Sequence, residues 1–149
     1  MHSIENTVRL LKDCDFDVPE CLIILAEQGI VPVEFEYMWQ IPKQFYYLVK
    51  EYPDNMPFEN DLVPLWEVNG DYVVAIVNDG SKRIIKYYYE DKEDQYEVLG
   101  TSLKEVLKDS IEWLYFEGEA EDTEIISVAT KLDFENPNDL LNEYRQKET

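Results

Sequence analysis

The sequence predicts an α+β fold, with helices before and after a central antiparallel sheet. Three observations predict this class. Apolar residues recur at helical spacing in residues 1–52, strand-like runs separated by turn pairs fill the middle third, and helical spacing returns after Gly100. We therefore expect N-terminal helices, a meander sheet of about four strands, and C-terminal helices that pack on the sheet.

Three helices are expected in the N-terminal part. Ile4, Val8 and Leu11 lie at i, i+4 and i+7, and a second helix should end near Gly29. Pro42 suits the first turn of a third helix. Its apolar positions follow the same spacing and are Phe45, Leu48, Val49 and Tyr52.

The middle third has the composition of a β-meander. The apolar runs 62–68 and 72–77 flank Asn69-Gly70, a pair that favours a type I′ hairpin turn. A third strand is expected over 83–89, and a fourth over 95–99 after a charged loop.

Gly100 marks the return to helical spacing. Ser102 and Glu105 match a capping box, in which the serine oxygen accepts from a backbone amide and the glutamate reaches back. Residues 124–132 fit a helix or a strand, with helix preferred, and residues 136–139 fit the start of a last helix. The buried stripe of the capped helix should be Leu103, Val106, Leu107, Ile111 and Leu114.

No repeat, low-complexity tract or Gly/Ser/Pro-rich linker divides the chain. We expect one domain over residues 1–149, with a core at about 29–116 and a C-terminal helical extension at about 120–149. The first six residues lack the features of a signal peptide, and no apolar run approaches the ~20 residues of a membrane span. Cys14 and Cys21 are expected to be reduced thiols of a cytoplasmic protein.

The net charge of −20, from 33 acidic against 13 basic residues, is the feature furthest from average. Such a surface repels nucleic acid and anionic membranes, and it attracts basic proteins or cations. The alternative is that the carboxylates serve solubility alone. Both interpretations stay open at this point.

The residues needed for catalysis are scarce. The one histidine, His2, is next to the terminus, and both cysteines have acidic sequence neighbours, which disfavour the thiolate that a nucleophilic cysteine needs. Cys and His together are too few for a structural zinc site, and no segment follows the calcium-loop pattern or a Gly-rich phosphate loop. We expect no catalytic residue, cofactor or metal.

Two segments are candidate partner-binding surfaces, although ordinary strand packing beside a solvated edge explains the second equally well. The first is an acidic run after the capped helix. The second is a tyrosine beside an acidic loop. The first consists of Glu117, Glu119, Glu121, Asp122 and Glu124, and the second of Tyr88, Glu90, Asp91, Glu93 and Asp94.

Three segments together resemble the SUKH superfamily, named for a yeast cell-wall-synthesis regulator and its bacterial relatives. They are residues 41–48 (Ile-Pro-Lys-Gln-Phe-Tyr-Tyr-Leu), 63–72 (Val-Pro-Leu-Trp-Glu-Val-Asn-Gly-Asp-Tyr) and 102–107 (Ser-Leu-Lys-Glu-Val-Leu). None is specific alone, and the match rests on their order across about residues 29–116. Two features depart from the family: residues 52–55 replace a Gly-rich stretch, and Leu103 replaces an aromatic residue.

The resemblance implies a non-enzymatic function. Bacterial members are typically immunity proteins that bind and block a toxin of a polymorphic toxin system, and many such toxins are nucleases with basic clefts. The partner expected from it is a basic protein, a cognate toxin, with no role for nucleic acid or membrane. Two alternatives stay open: a regulatory scaffold like the eukaryotic relatives, and a metal-dependent hydrolase that uses clustered carboxylates.

Overall fold

The computed structural model describes residues 3–14, 17–55, 62–90 and 96–148. Among these residues, three α-helices precede the sheet and three follow it, which confirms the α+β class. Contacts divide the chain into two compact units, Met1–Leu103 and Lys104–Thr149. In chain order the helices and strands are α1 Ile4–Asp13, α2 Glu20–Gln28, α3 Lys43–Glu51, β1 Leu62–Val68, β2 Tyr72–Val77, β3 Ile84–Tyr88, β4 Tyr96–Gly100, α4 Leu103–Phe116, α5 Asp122–Lys131 and α6 Pro137–Lys147.

The sheet of the first unit is the expected meander, in the order β1-β2-β3-β4 with every neighbouring pair antiparallel. Asn69 and Gly70 form the β1–β2 turn with φ of 52° and 71°. Both residues therefore adopt the left-handed conformation that a type I′ turn requires. Pairing of Val68 with Tyr72 brackets this turn, as the sequence predicted.

Strand β2 is buried along nearly its whole length, as expected for a central strand. On one face of the sheet, Phe45 of α3 packs into an apolar cluster with residues from β1, β2 and β3. Elsewhere in the unit, Trp39 stacks between two other rings, 4.0 Å from Phe35 and 4.3 Å from Trp66 between ring centroids. The other members of the α3-side cluster are Leu62, Val73, Ala75, Val77, Ile85 and Tyr87.

Helix α1 begins with a side-chain cap, and α2 ends where the sequence predicted. The Ser3 hydroxyl accepts a hydrogen bond from the Asn6 N–H at 3.1 Å and caps α1. Gly29 ends α2 with φ of 72°. A Cβ at this position would lie 2.5 Å from Ile41 Cδ1, the end of a flexible side chain that can shift, so the left-handed backbone conformation is what favours glycine.

The second unit contains α5 and α6 together with nearly all of α4. The ambiguous segment 124–132 is helical in α5, where Ile125, Val128 and Ala129 are buried at i, i+3 and i+4. Helix α6 starts with Pro137, but the preceding Asn136 makes no capping hydrogen bond through its side chain. The helix therefore starts where the sequence predicted, without a side-chain cap from Asn136.

Candidate functional site

Glu67 is a residue of β1 whose buried carboxylate reaches the start of α3, and 4% of its surface is exposed. Its Oε1 accepts a hydrogen bond from the Gln44 N–H at 3.2 Å, and its Oε2 accepts one from the Phe45 N–H at 3.0 Å. The Tyr89 hydroxyl also donates to Oε2. Every oxygen of this buried charge thus has a donor.

These contacts explain how α3 is capped. The residue before α3 is Pro42, whose side chain cannot accept a hydrogen bond, so the first helical N–H groups need another acceptor. Glu67 supplies it from a strand more than twenty residues away, where the positive end of the helix dipole also favours a carboxylate. Sequence reasoning placed Glu67 in β1 and missed this role. The available signal was a helix start without a Ser, Thr, Asp or Asn cap.

The tyrosines in β3 and directly after it divide between the two faces of the sheet, as strand alternation predicts. Tyr87 is buried, and its ring lies 5.7 Å from that of Tyr89. Burial, together with the hydrogen bond to Glu67 and its negative charge, raises the pKa of Tyr89. Both rings are therefore part of the folded core and its hydrogen bonding.

Tyr88 is half-buried and points to the opposite face. Its ring lies 5.6 Å from that of Tyr72, and the Lys86 Nζ lies over both rings, at 4.1 Å from the Tyr72 centroid and 5.2 Å from the Tyr88 centroid. The Tyr88 ring, which could bind a cation of a partner, is thus already in contact with the cation of Lys86.

The acidic loop next to Tyr88 is described only at its start. Glu90 is exposed at the end of β3. The predicted binding residues Asp91, Glu93 and Asp94 lie outside the described residues.

The acidic run after α4 contains two kinds of carboxylate. Glu117 and Glu119 are exposed. The other three have roles within the second unit: Glu121 and Glu124 form the capping box of α5, and Asp122 pairs with Arg145 of α6. All five residues belong to the second unit, whereas Tyr88 and Glu90 belong to the first.

A pocket of about 410 Å³ lies beside Glu67 in the first unit, and Trp39 and Glu36 contribute to its wall. The segment that forms it exposes apolar side chains. Ile30, between two lining residues, is 57% exposed, and Tyr37, next to Glu36, is 85% exposed. The sequence pattern predicted no helix or strand between Gly29 and Pro42, and it gave no indication of this apolar surface.

A second missed feature is an exposed aromatic pair on α4, Trp113 and Phe116, which are 43% and 39% exposed. They lie off the buried stripe predicted for that helix, and Glu117 follows directly. The charge run in the sequence therefore predicted the acidic part of this surface but not its aromatic part.

Within the described residues, no cluster of His, Cys, Asp and Glu side chains is arranged to hold a metal ion. The helices of that same part of the chain are all too short or too polar to cross a membrane. Comparisons with protein-family models, with curated proteins and with solved structures found no match to this chain.

Proposed function

We propose that this chain is a non-catalytic protein-binding domain that acts as an immunity protein. It binds a basic toxin of a bacterial polymorphic toxin system and blocks that toxin. The resemblance to the SUKH superfamily supports this proposal, and the net charge of −20 supports it independently.

The observation that carries the proposal is the exposed acidic surface at the end of α4. Glu117 and Glu119 are both exposed, and among the described residues no ion pair involves either carboxylate. Their charge is available to a partner, whereas that of Asp122 is matched by Arg145. A nuclease toxin presents a basic cleft, and opposite charges steer such a pair together.

The test starts with capture of binding partners from the native lysate at low and at high salt. We expect a basic protein whose capture weakens at high salt, because screening shortens the range of the attraction. That protein should arrest growth when it is expressed alone, and co-expression of this chain should restore growth. Captured proteins that are not toxic, or growth that is not restored, would contradict the immunity function.

Two variants with equal charge change test the acidic surface. In the first, Glu117→Gln is combined with Glu119→Gln; the matched control combines Glu5→Gln with Glu51→Gln, two exposed positions in the first unit. The first variant should associate with the toxin several-fold more slowly than the control. Equal rates for the two variants would rule out a special role for the acidic run.

A regulatory scaffold is the second candidate function, and the exposed apolar side chains Ile30 and Tyr37 favour it. A scaffold should bind several partners with little dependence on salt. The change Tyr37→Ala should weaken those interactions without affecting rescue from a toxin.

A further inference from the structure

One face of α4 is exposed although it carries two aromatic rings. Asp109, Trp113 and Phe116 of α4 and the next residue, Glu117, lie at i, i+4, i+7 and i+8, a spacing that places them on one side of a helix. Glu117 follows the end of α4, and its N–H continues the helical pattern by donating to the Trp113 carbonyl at 2.8 Å. All four are exposed. We call these four residues the α4 stripe.

Both rings of the α4 stripe are held by their neighbours. The Phe116 ring lies 4.9 Å from that of Tyr115 and 6.3 Å from the buried Tyr144. Trp113 lies close to Gly118, where an added Cβ would come within 3.2 Å of Trp113 Cζ3. Because the rings are already positioned, they lose little conformational freedom when a partner packs on them.

Carboxylates stand at both ends of the stripe. Asp109 and Glu117 are eight residues apart, about 12 Å along the axis at roughly 1.5 Å per residue. Partial desolvation and the nearby charges of Glu112 and Glu105 raise the pKa of Asp109. Asp109 is itself exposed and lies among other carboxylates of α4, so a partner's cation can approach it and is attracted.

These features determine which occupant fits. A second copy of the chain would bring another charge of −20 to the same surface, so self-association is opposed. A basic protein is attracted. Arginine fits better than lysine, because its planar guanidinium stacks on an aromatic ring and also pairs with a carboxylate through two hydrogen bonds.

We propose that the α4 stripe is a docking site for an arginine-bearing segment of a basic protein, with guanidinium groups at Asp109 and Glu117 and the side chains between them packed on Trp113 and Phe116. This inference rests on the proposed function and specifies the surface and the partner chemistry.

The probe is a fluorescein-labelled hexa-arginine peptide, with hexa-lysine and hexa-glutamate peptides for comparison. Fluorescence anisotropy gives the Kd for the full-length chain. We expect hexa-arginine to bind several-fold more tightly than hexa-lysine, and hexa-glutamate not to bind. Unlabelled hexa-arginine should also change the tryptophan emission, because Trp39 and Trp66 are buried whereas Trp113 is exposed. Trp113→Phe should abolish that change.

Variants locate the site. Trp113→Ala combined with Phe116→Ala, and Asp109→Asn combined with Glu117→Gln, should each raise the Kd for hexa-arginine by about tenfold. The matched control combines Tyr47→Ala with Tyr52→Ala, which removes another exposed aromatic pair, with rings 6.4 Å apart, from the first unit. This control should bind like the parent chain. Circular dichroism checks that each variant is folded.

Equal binding by the stripe variants and the parent chain would overturn the inference, since the peptide would then be attracted by the overall negative charge and not by the α4 stripe. An equal loss in the tyrosine control would also overturn it. The two proposals fail separately. If stripe variants still rescue cells from the toxin, only the docking site is wrong. If the stripe variants no longer bind hexa-arginine but the parent chain rescues no cell from the toxin, only the immunity function is wrong.

Discussion

At the scale of single residues, Glu67 links three parts of the first unit. It belongs to β1, accepts two hydrogen bonds from the start of α3, and accepts one from the Tyr89 hydroxyl. A buried charge is stable only when its oxygens are satisfied, and here all three donors also need this acceptor. Loss of the carboxylate therefore leaves several buried polar groups without a partner.

We predict that Glu67→Ala lowers the free energy of unfolding by about 3 kcal/mol, because helix N–H groups and a hydroxyl lose their acceptor. Glu67→Gln keeps one acceptor oxygen and should cost less. Urea denaturation followed by circular dichroism measures both. The exposed control Glu97→Ala should stay within about 0.5 kcal/mol of the parent chain, and an equally small effect of Glu67→Ala would contradict this role.

A second prediction concerns tyrosine ionisation at high pH. Burial raises the pKa of Tyr46, Tyr87, Tyr89 and Tyr144 above the ordinary value of 10.0. Below pH 10 these groups keep their protons in both states, so they do not make stability depend on pH. Above it the unfolded chain loses protons that the folded chain retains, so the free energy of unfolding should fall as pH rises.

Urea denaturation between pH 9 and 11.5 checks this fall, and absorbance at 295 nm follows tyrosinate. Tyr89→Phe removes one of the four groups, so its stability should fall less steeply, by up to about 1.4 kcal/mol per pH unit. An identical slope for this variant and the parent chain would show that Tyr89 ionises normally in the folded state.

At the scale of helices and strands, the meander depends on a turn in the left-handed backbone conformation, which few residue types adopt readily. Gly70 has φ of 71° in the β1–β2 turn, and no heavy atom lies within 4 Å of where its Cβ would be. An added side chain would therefore meet no steric obstacle, and only the left-handed backbone conformation disfavours it.

We expect Gly70→Ala to lower the free energy of unfolding by about 1 kcal/mol, as measured by urea denaturation. Asn69→Gly is the control, because Asn69 already has φ of 52° and glycine adopts this conformation freely. That control should change stability by no more than about 0.5 kcal/mol. If Gly70→Ala has no effect, the turn is not of the type I′ conformation.

At the scale of the whole molecule, the charge of −20 acts against folding. Crowded carboxylates repel one another in the compact state, and dissolved salt screens that repulsion. The few ion pairs found among the described residues are mostly exposed, and such pairs contribute little.

We therefore expect the melting temperature to rise by several degrees between about 10 mM and 300 mM NaCl, because the Debye length falls from roughly 30 Å to under 10 Å. Differential scanning fluorimetry measures this shift. Glucose at the same osmolality is the control and should raise the melting temperature less. A melting temperature that falls with NaCl would show that favourable ion pairs outweigh the repulsion.

The candidate binding surface was only partly predictable from the sequence. Glu117 and Glu119 stand out as part of a charge run, and they are exposed. Glu121 and Glu124 look the same in the sequence, but a capping box engages them. Trp113 and Phe116 are aromatic residues, which are usually buried. The one sign in the sequence that they are exposed is that they lie off the buried stripe of α4.

The sequence by itself determined the order of helices and strands and the hairpin turn at Asn69 and Gly70. These features depend on spacing and backbone preference within a few neighbouring residues, and the sequence displays such local information directly. Only the tertiary structure decided that Glu67 caps α3 and that Lys86 covers the rings of Tyr72 and Tyr88. Those contacts join separate elements, and their formation depends on how strands and helices pack, which no local pattern encodes.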